Sequence, residues 1–223
     1  MIPRPLIALC LAALGFPSLF LDPVTAGEKA SSPDVGQICR LHAREAEKRY
    51  QLPKLVLSAI SLAESGRWHS TKLMSYPWPW TVTSGANSNY YADKSTAIEA
   101  VNALKARGVR NIDVGCMQIN LHYHPDAFAN LSEAFDPIAN TDYAAKFLKD
   151  LFRSSHSWNR AIGRYHSATP TRAAAYLKRV NALWRDERVL SARLRREAVK
   201  AAYREREQAR KAARFEPPGR ADG

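Results

Sequence analysis

One apolar stripe constrains the fold of this chain more than any other feature of its sequence. Apolar side chains recur there at intervals of three and four residues, which is the spacing of one face of an α-helix. The stripe consists of Leu52, Leu55, Val56, Ala59, Ile60 and Ala63. Pro53 suits the first turn of such a helix, and Gly66 is a natural end for it. The pattern predicts a helix with one face in the protein core.

Glu64 falls at the edge of this stripe, above Ile60 and beside Leu57, so we expect its side chain to be half buried. Burial and the partial negative charge at a helix C-terminus both disfavour an ionised carboxylate, and both should raise the pKa of Glu64. A carboxyl group that stays protonated near neutral pH can act as a general acid. The helix alone also fits a surface glutamate beside a terminal glycine, and that alternative stays open.

A second informative segment runs from Asp113 to Asn120. It lacks helical spacing, and its alternation is short, so we predict a loop or a short extended piece. Gln118 and Asn120 offer donors and acceptors that suit sugar hydroxyl and acetamido groups, and Gly115 allows close approach of the backbone. Taken alone, the segment is explained as simply by a solvated turn.

Three blocks of sequence follow one another in a fixed order. They are Glu64-Ser65-Gly66, then Val114-Gly115-Cys116-Met117-Gln118-Ile119-Asn120, then Ala161-Ile162-Gly163-Arg164-Tyr165-His166-Ser167-Ala168. Together they resemble the signature blocks of soluble lytic transglycosylases, which cut peptidoglycan, and the similarity extends from about Cys39 to Val180. The resemblance implies a mainly α fold, with a lysozyme-like helical catalytic domain that carries a small β-hairpin insertion.

The resemblance also implies roles for individual residues. Glu64 matches the single catalytic acid and base of the family. The residues that would bind substrate are Ser65, Gly115, Met117, Gln118, Asn120, Tyr165 and His166. Leucine is common at the position of Cys116 and asparagine at that of His166, and these departures resemble a proteobacterial subgroup with Pro-Trp-Pro-Trp and Tyr-His-Ser-Ala-Thr-Pro segments.

A mechanism with one carboxylate follows from the resemblance, although ordinary glycosidases use two. Glu64 would protonate the oxygen that joins N-acetylmuramic acid to N-acetylglucosamine. It would then take the proton of the C6 hydroxyl as that oxygen closes onto C1, leaving a 1,6-anhydro end. Asp113 is the nearest rival for a second carboxylate, and hydrolysis would gain support if Asp113 faced the cleft.

The chain begins with a pattern typical of a secretory signal over residues 1–26. Arg4 precedes an apolar run, and the small residues at Val24-Thr25-Ala26 suit cleavage. Pro17 and Asp22 interrupt the apolar run, which falls short of the roughly 20 residues of a membrane span. We therefore expect a periplasmic or secreted protein without a stable membrane span after cleavage.

A chain of 223 residues with 46% hydrophobic content supports one good core. We assign the catalytic domain to residues 27–184 and a basic tail, helical and then disordered, to residues 185–223. Removal of the signal also removes Cys10, so two cysteines remain. In an oxidising compartment we favour a disulfide between Cys39 and Cys116 over two separate buried thiols, and a catalytic thiol least of all.

The net charge of +12 is partly located in the tail, where basic residues alternate with glutamates, as in Arg204-Glu205-Arg206-Glu207. This alternation is typical of a solvated helix, and secretion argues against a nucleic-acid partner. A docking helix for a partner in the cell envelope and a solubilising extension explain the tail equally well. A positive surface would also help to retain the protein on peptidoglycan, whose stem peptides are acidic.

Local patterns predict further elements. A hairpin is expected from Trp80 to Tyr91, with its turn at Ser84-Gly85-Ala86-Asn87. The expected starts of helices are Asp34, Ser95, Asp136-Pro137 and Thr169-Pro170. In the last of these helices, the spacing assigns Tyr176, Leu177, Val180 and Trp184 to the core.

Two clusters have both a functional and a structural explanation. The aromatic rings of Trp68, Trp78, Trp80, Tyr90 and Tyr91 could stack on sugars, but a local mini-core is favoured. His122, His124 and Asp126 could bind a metal, but residues spaced so closely commonly lie on a solvated loop. We assign no metal and no cofactor.

Three functions remain in competition. The first is a lytic transglycosylase acting on peptidoglycan glycan strands, and the second is a goose-type lysozyme hydrolase on the same scaffold. The third is a non-catalytic wall-binding protein of a secretion or flagellar apparatus. The intact blocks around Glu64 and Gln118 favour an enzyme, since a pure binder would not require the acid.

Overall fold

A computed structural model describes residues 35–215, apart from the side chains of Ala213 and Phe215. The predicted signal, the predicted helix cap Asp34 and the predicted disorder at the end of the chain lie outside the described residues. Among the described helices, none is long and apolar enough to cross a membrane.

Helices dominate the described part of the chain. They are α1 (Val35–Arg49), α2 (Val56–Ser65), α3 (Lys94–Ala106), α4 (Leu131–Ala134), α5 (Pro137–Ser155), α6 (Trp158–His166) and α7 (Pro170–Phe215). The strands are β1 (Gly66–His69), β2 (Met74–Pro77), β3 (Thr81–Ser84), β4 (Asn87–Tyr90), β5 (Asp113–Val114) and β6 (Ile119–Asn120). The fold is mainly α with small antiparallel sheets, which confirms the predicted fold class.

The strands form two sheets beside the helices. The predicted hairpin is the pair β3 and β4, in which Ser84 lies opposite Asn87 across a two-residue turn. This pair belongs to a sheet with the order β4-β3-β5-β6, so the segment from Asp113 to Asn120 is a short hairpin rather than a loop. The pair β1 and β2 is a third hairpin and forms the second sheet, which the sequence analysis missed.

The predicted helix with the apolar stripe is α2, but it begins later than the stripe does. Leu55 has a left-handed backbone with φ of 67°, so Pro53 precedes the helix instead of lying in its first turn. The helix ends before Gly66, as predicted. A Cβ at Gly66 would lie 2.4 Å from the Leu62 carbonyl oxygen, so close approach of the backbone requires glycine there.

Glu47, at the end of α1, caps the first turn of α2. Its buried carboxylate accepts hydrogen bonds from the backbone N–H groups of Leu55 at 2.7 Å, Leu57 at 2.8 Å and Ser58 at 3.2 Å. These N–H groups have no partner within a helix that starts at Val56. One carboxylate from another helix therefore fixes where α2 begins.

Of two other predicted helix starts, the one at Ser95 is wrong and the one at Asp136-Pro137 is confirmed. Asp93, not Ser95, caps α3, because its carboxylate accepts the N–H of Thr96 at 2.8 Å. Asp136 caps α5 as predicted, with Pro137 as the first helical residue.

Helix α7 begins at Pro170, as predicted, and continues without a break past residue 184. Arg40 of α1 donates to Glu187 at 2.7 Å, and both side chains are buried. Helix α7 therefore packs on the other helices at least as far as Glu187.

The core has two parts. In the larger, α2 lies among α1, α5, α6 and α7, and nearly all its residues are buried. The smaller lies beneath the four-stranded sheet, where Trp80 and Tyr91 pack against buried residues, in agreement with the mini-core interpretation for these two rings. Trp68, in contrast, is 61% exposed.

Candidate active site

Glu64 lies in the last turn of α2, where its side chain is half buried. The hydroxyl of Tyr176, in α7, donates a hydrogen bond of 2.5 Å to Oε1 of Glu64. Within residues 35–215, no group donates a hydrogen bond to Oε2. The carboxyl group is thus held at one oxygen and available at the other.

The surroundings of Glu64 raise its pKa to about 7 from an ordinary value of 4.5. Burial is the main cause, because it penalises the charged form. The negative charge of Asp113 raises the pKa further, whereas the hydrogen bond from Tyr176 and the positive charge of Arg179 lower it. Near neutral pH, a large share of Glu64 is protonated.

Asp113, in β5, brings a second carboxyl group into the electrostatic field of Glu64. Asn120 donates to Oδ1 of Asp113 at 2.8 Å, and burial raises the pKa of this carboxyl above its usual range. Asp113 was the rival carboxylate in the sequence analysis, and it lies close enough to affect the acidity of Glu64.

Tyr165 and His166, at the end of α6, complete the surroundings of the acid. The hydroxyl of Tyr165 donates to the carbonyl oxygen of Met117 at 2.9 Å, and burial together with the charge of Glu64 raises the pKa of this phenol. The ring of His166 stacks on that of Tyr176, with centroids 4.6 Å apart. Burial lowers the pKa of His166, and Arg179 lowers it further.

The amide side chains of Gln118 and Asn120 hold the hairpins together. Gln118 donates to the carbonyl oxygens of Thr81 at 3.1 Å and Gly115 at 2.9 Å, so both of its hydrogens are used.

The side chain of Asn120 donates to Asp113 at 2.8 Å. Its Oδ1 accepts the backbone N–H groups of His122 at 3.0 Å and Tyr123 at 3.1 Å. Both amide hydrogens of Asn120 are used as well, so a sugar could accept a hydrogen bond from these two amides only in place of one that they already make.

Three other predicted binding residues, Ser65, Gly115 and Met117, are buried beneath the site. The hydroxyl of Ser65 donates to the carbonyl oxygen of Cys116 at 2.7 Å. A Cβ on Gly115 would lie 2.4 Å from the Asn140 amide, which itself accepts the N–H of Met117 at 2.9 Å. In this conformation these residues support the site from below instead of lining its surface.

Cys39 and Cys116 form a disulfide, with a Cα–Cα distance of 5.6 Å. The bond joins α1 to the turn between β5 and β6. It therefore fixes the segment that carries Asp113 to the helical core.

Sequence reasoning missed two residues that organise the site. Tyr176 was assigned to the core, and it is only 6% exposed, but its hydroxyl contacts Glu64. Asn140 is buried and bonds to the backbone of Val114 and Met117. The available signal was that a buried tyrosine hydroxyl or asparagine amide needs a polar partner.

The other candidate groups have structural partners. The guanidinium of Arg67 lies over the rings of Trp78 at 4.6 Å and Tyr90 at 5.8 Å. His124 shares a hydrogen bond of 2.9 Å with the hydroxyl of Tyr143. Over residues 35–215, no group of three His, Cys, Asp or Glu side chains is arranged to hold a metal ion.

Comparison with protein families gives one match, to the Transglycosylase SLT domain over residues 42–189. This region contains all three sequence blocks and the residues around Glu64. Neither the curated proteins nor the solved structures gave a match.

Proposed function

Because the chain belongs to the Transglycosylase SLT domain family, we propose that it is a peptidoglycan lytic transglycosylase with Glu64 as its single general acid and base. It would cleave the β-1,4 bond between N-acetylmuramic acid and N-acetylglucosamine and leave 1,6-anhydro ends. The pKa of Glu64, about 7 in a half-buried position, is the observation that carries this proposal. The family acts on peptidoglycan outside the cytoplasm.

In the first step, the protonated carboxyl of Glu64 donates its proton to the glycosidic oxygen. Oε2 is the oxygen that donates, because Tyr176 occupies Oε1. The bond between that oxygen and C1 of the muramic acid breaks, and the departing sugar keeps the bonding electrons and the proton. The hydrogen bond from Tyr176 strengthens as Glu64 becomes negative, which favours this step.

In the second step, ionised Glu64 takes the proton of the C6 hydroxyl while the C6 oxygen bonds to C1. The ring closes, no water is consumed, and the carboxyl is protonated again for the next cycle. One residue thus serves as acid and then as base, and a pKa near neutral suits both roles.

Substrate would bind over the surface formed by Tyr165, His166, Gln118 and Asn120, with Ser65, Gly115 and Met117 beneath it. The stacked rings of His166 and Tyr176 place an aromatic surface beside the acid. We further propose that the protein works in the periplasm or outside the cell after removal of residues 1–26, without a cofactor.

A second function, hydrolysis in the manner of a goose-type lysozyme, is favoured by the position of Asp113. A second carboxylate near the acid could orient or activate water, as in ordinary glycosidases. The match to the transglycosylase family favours the first function over this one. The non-catalytic alternative is disfavoured because holding Glu64 in a buried position costs stability and brings no benefit to a pure binder.

Product analysis distinguishes the three functions. Peptidoglycan is digested with the purified protein, and the fragments are identified by mass spectrometry. We expect 1,6-anhydro ends that disappear in Glu64→Gln and persist in Glu99→Gln, a control at an exposed position in α3. Reducing ends would indicate hydrolysis, and an absence of fragments would indicate a binder.

A further inference from the structure

The end of α7, from Val189 to Phe215, extends beyond the packed helices, and we call it the tail helix. Among the described residues, its side-chain hydrogen bonds and ion pairs join residues of α7 only, as in the 3.0 Å pair of Arg193 and Glu197. Within residues 35–215, Glu187 is the last residue of α7 that forms an ion pair with another element. At about 1.5 Å per residue, the tail helix is about 40 Å long.

Between Val189 and Tyr203, one face of the tail helix carries an exposed apolar stripe that Arg196 interrupts, and beyond Tyr203 the same face is charged. Val189, Ala192, Val199 and Tyr203 are separated by three, seven and four positions, which keeps them on one side of a helix. Val189 is 69% exposed, Val199 is 70% exposed and Tyr203 is 65% exposed. A purely solubilising extension gives no reason to align these side chains.

Basic residues flank the stripe on both sides. Arg193, Lys200, Arg204 and Lys211 follow one edge at intervals of seven, four and seven positions, and Arg195 and Arg206 follow the other edge. Over the whole tail helix, nine lysines and arginines stand against three glutamates, which gives a net charge of +6. An apolar stripe between basic borders has the composition of a helix that lies at a membrane surface.

We propose that the tail helix binds the surface of an anionic phospholipid membrane. It would lie in the plane of the interface, with the stripe towards the acyl chains. The long side chains of Lys and Arg would extend from the edges of the stripe to the negative headgroups. The domain that carries Glu64 would thereby be held at a membrane without spanning it.

Two other binding partners, a second copy of this chain and an acidic polymer, fit the tail helix less well. A second copy would bring another net charge of +6 against the same basic surface, whereas an anionic membrane neutralises that charge. A nucleic acid or another acidic polymer would use the charges, but it would leave the stripe without a role. The positive charge favours an anionic binding partner, and the apolar stripe favours a partner that has an apolar layer, as a membrane does.

Vesicle binding tests the proposal with a matched pair of variants. The purified full chain is sedimented with vesicles of phosphatidylcholine alone, or of phosphatidylcholine with about 30% phosphatidylglycerol. Val199→Asp places a negative charge in the stripe. Leu194→Asp makes the same change at a position that is 49% exposed on the other side of the helix.

We expect the unaltered chain to bind the anionic vesicles at least about tenfold more tightly than the neutral ones. Val199→Asp should weaken this binding about tenfold, and Leu194→Asp less than about threefold. No preference for anionic vesicles, or equal weakening by the two variants, would overturn the proposal.

A second experiment measures binding to polyglutamate, which carries negative charge but has no apolar layer. Both variants should weaken this binding equally, and a selective effect of Val199→Asp there would instead assign the stripe to an acidic protein. Digestion of peptidoglycan by Val199→Asp tests the proposed catalytic function separately.

Discussion

The hydroxyl of Tyr176 donates a 2.5 Å hydrogen bond to Oε1 of Glu64, although 112 positions separate the two residues in the sequence. The bond opposes the effect of burial, because it stabilises the ionised carboxylate. It also determines which oxygen of Glu64 is available to a substrate. The acidity and the orientation of the proposed catalytic group therefore depend on a residue outside all three sequence blocks.

Replacing Tyr176 by Phe should raise the pKa of Glu64, since the hydrogen bond that favours the carboxylate is lost. The alkaline fall in kcat/KM should move to higher pH by about one unit, because a hydrogen bond to a charged group contributes about 1.5 kcal/mol. The maximal rate should fall as well, since the carboxylate formed in the first step loses its donor. A pH profile measured with glycan fragments checks this, and an unchanged alkaline limb would contradict it.

Replacing Asp113 by Asn should have the opposite effect on the pKa of Glu64. The negative charge of Asp113 raises that pKa, so its removal should move the alkaline limb to lower pH. The 1,6-anhydro product should persist in this variant. A shift towards higher pH, or loss of all product at every pH, would show that Asp113 acts in another way.

Replacing Glu64 by Gln should stabilise the protein at alkaline pH. The folded pKa of about 7 exceeds the ordinary 4.5, so the folded state binds the proton more tightly, and the native protein loses stability as pH rises from about 4.5 to about 7. The total loss is on the order of 3 kcal/mol, and the glutamine variant lacks it. Denaturant unfolding should therefore show a larger advantage of the variant at pH 8 than at pH 4, and an equal difference at both would contradict the raised pKa.

Replacing Glu47 by Gln should destabilise the start of α2. An amide has one acceptor oxygen, so at least one of the three backbone N–H groups loses its partner, at a cost of about 2–4 kcal/mol. The matched control is Glu45→Gln, because Glu45 is exposed on the same helix. The control should change the free energy of unfolding by less than about 0.5 kcal/mol. Similar values for the two variants would contradict the capping role.

Replacing Glu187 by Ala should leave the buried guanidinium of Arg40 without its carboxylate, at a cost of about 3–5 kcal/mol. Glu197→Ala removes an exposed partner of Arg193 in the same helix and should cost less than about 1 kcal/mol. A chain that ends after residue 184 should lose at least as much stability as Glu187→Ala. If it were as stable as the full chain, the domain would end where the sequence analysis placed its boundary.

Local spacing was sufficient to predict several elements of the fold. The stripe before Glu64, the turn at Gly85 and the Asp136-Pro137 start each depend on neighbours in the sequence. The true start of α2 was missed because Leu55 and its left-handed backbone depend on Glu47 of another helix. Such a contact leaves no periodic signal.

The same distinction applies to the candidate site. Glu64 lies at the edge of the apolar stripe, and helix geometry alone determines that position. It was therefore possible to predict from the sequence that the pKa of Glu64 is raised. Helical spacing placed Tyr176 in the core, but it did not show where the hydroxyl pointed. The hydrogen bonds of Gln118 depend on β3 and the turn at Gly115, so its residue type suggested sugar binding before any competing partner was visible.

Cys116 fixes the β5–β6 hairpin at two points. Its sulfur is bonded to Cys39, while its carbonyl oxygen accepts hydrogens from Ser61 at 3.0 Å and Ser65 at 2.7 Å, beside Glu64. The spacing between the two carboxyl groups thus depends on one covalent tether and two hydroxyl groups. A reductant that opens this tether should let Asp113 move relative to Glu64 and change the acidity of Glu64. Catalytic competence in this chain would then report the redox state of its surroundings.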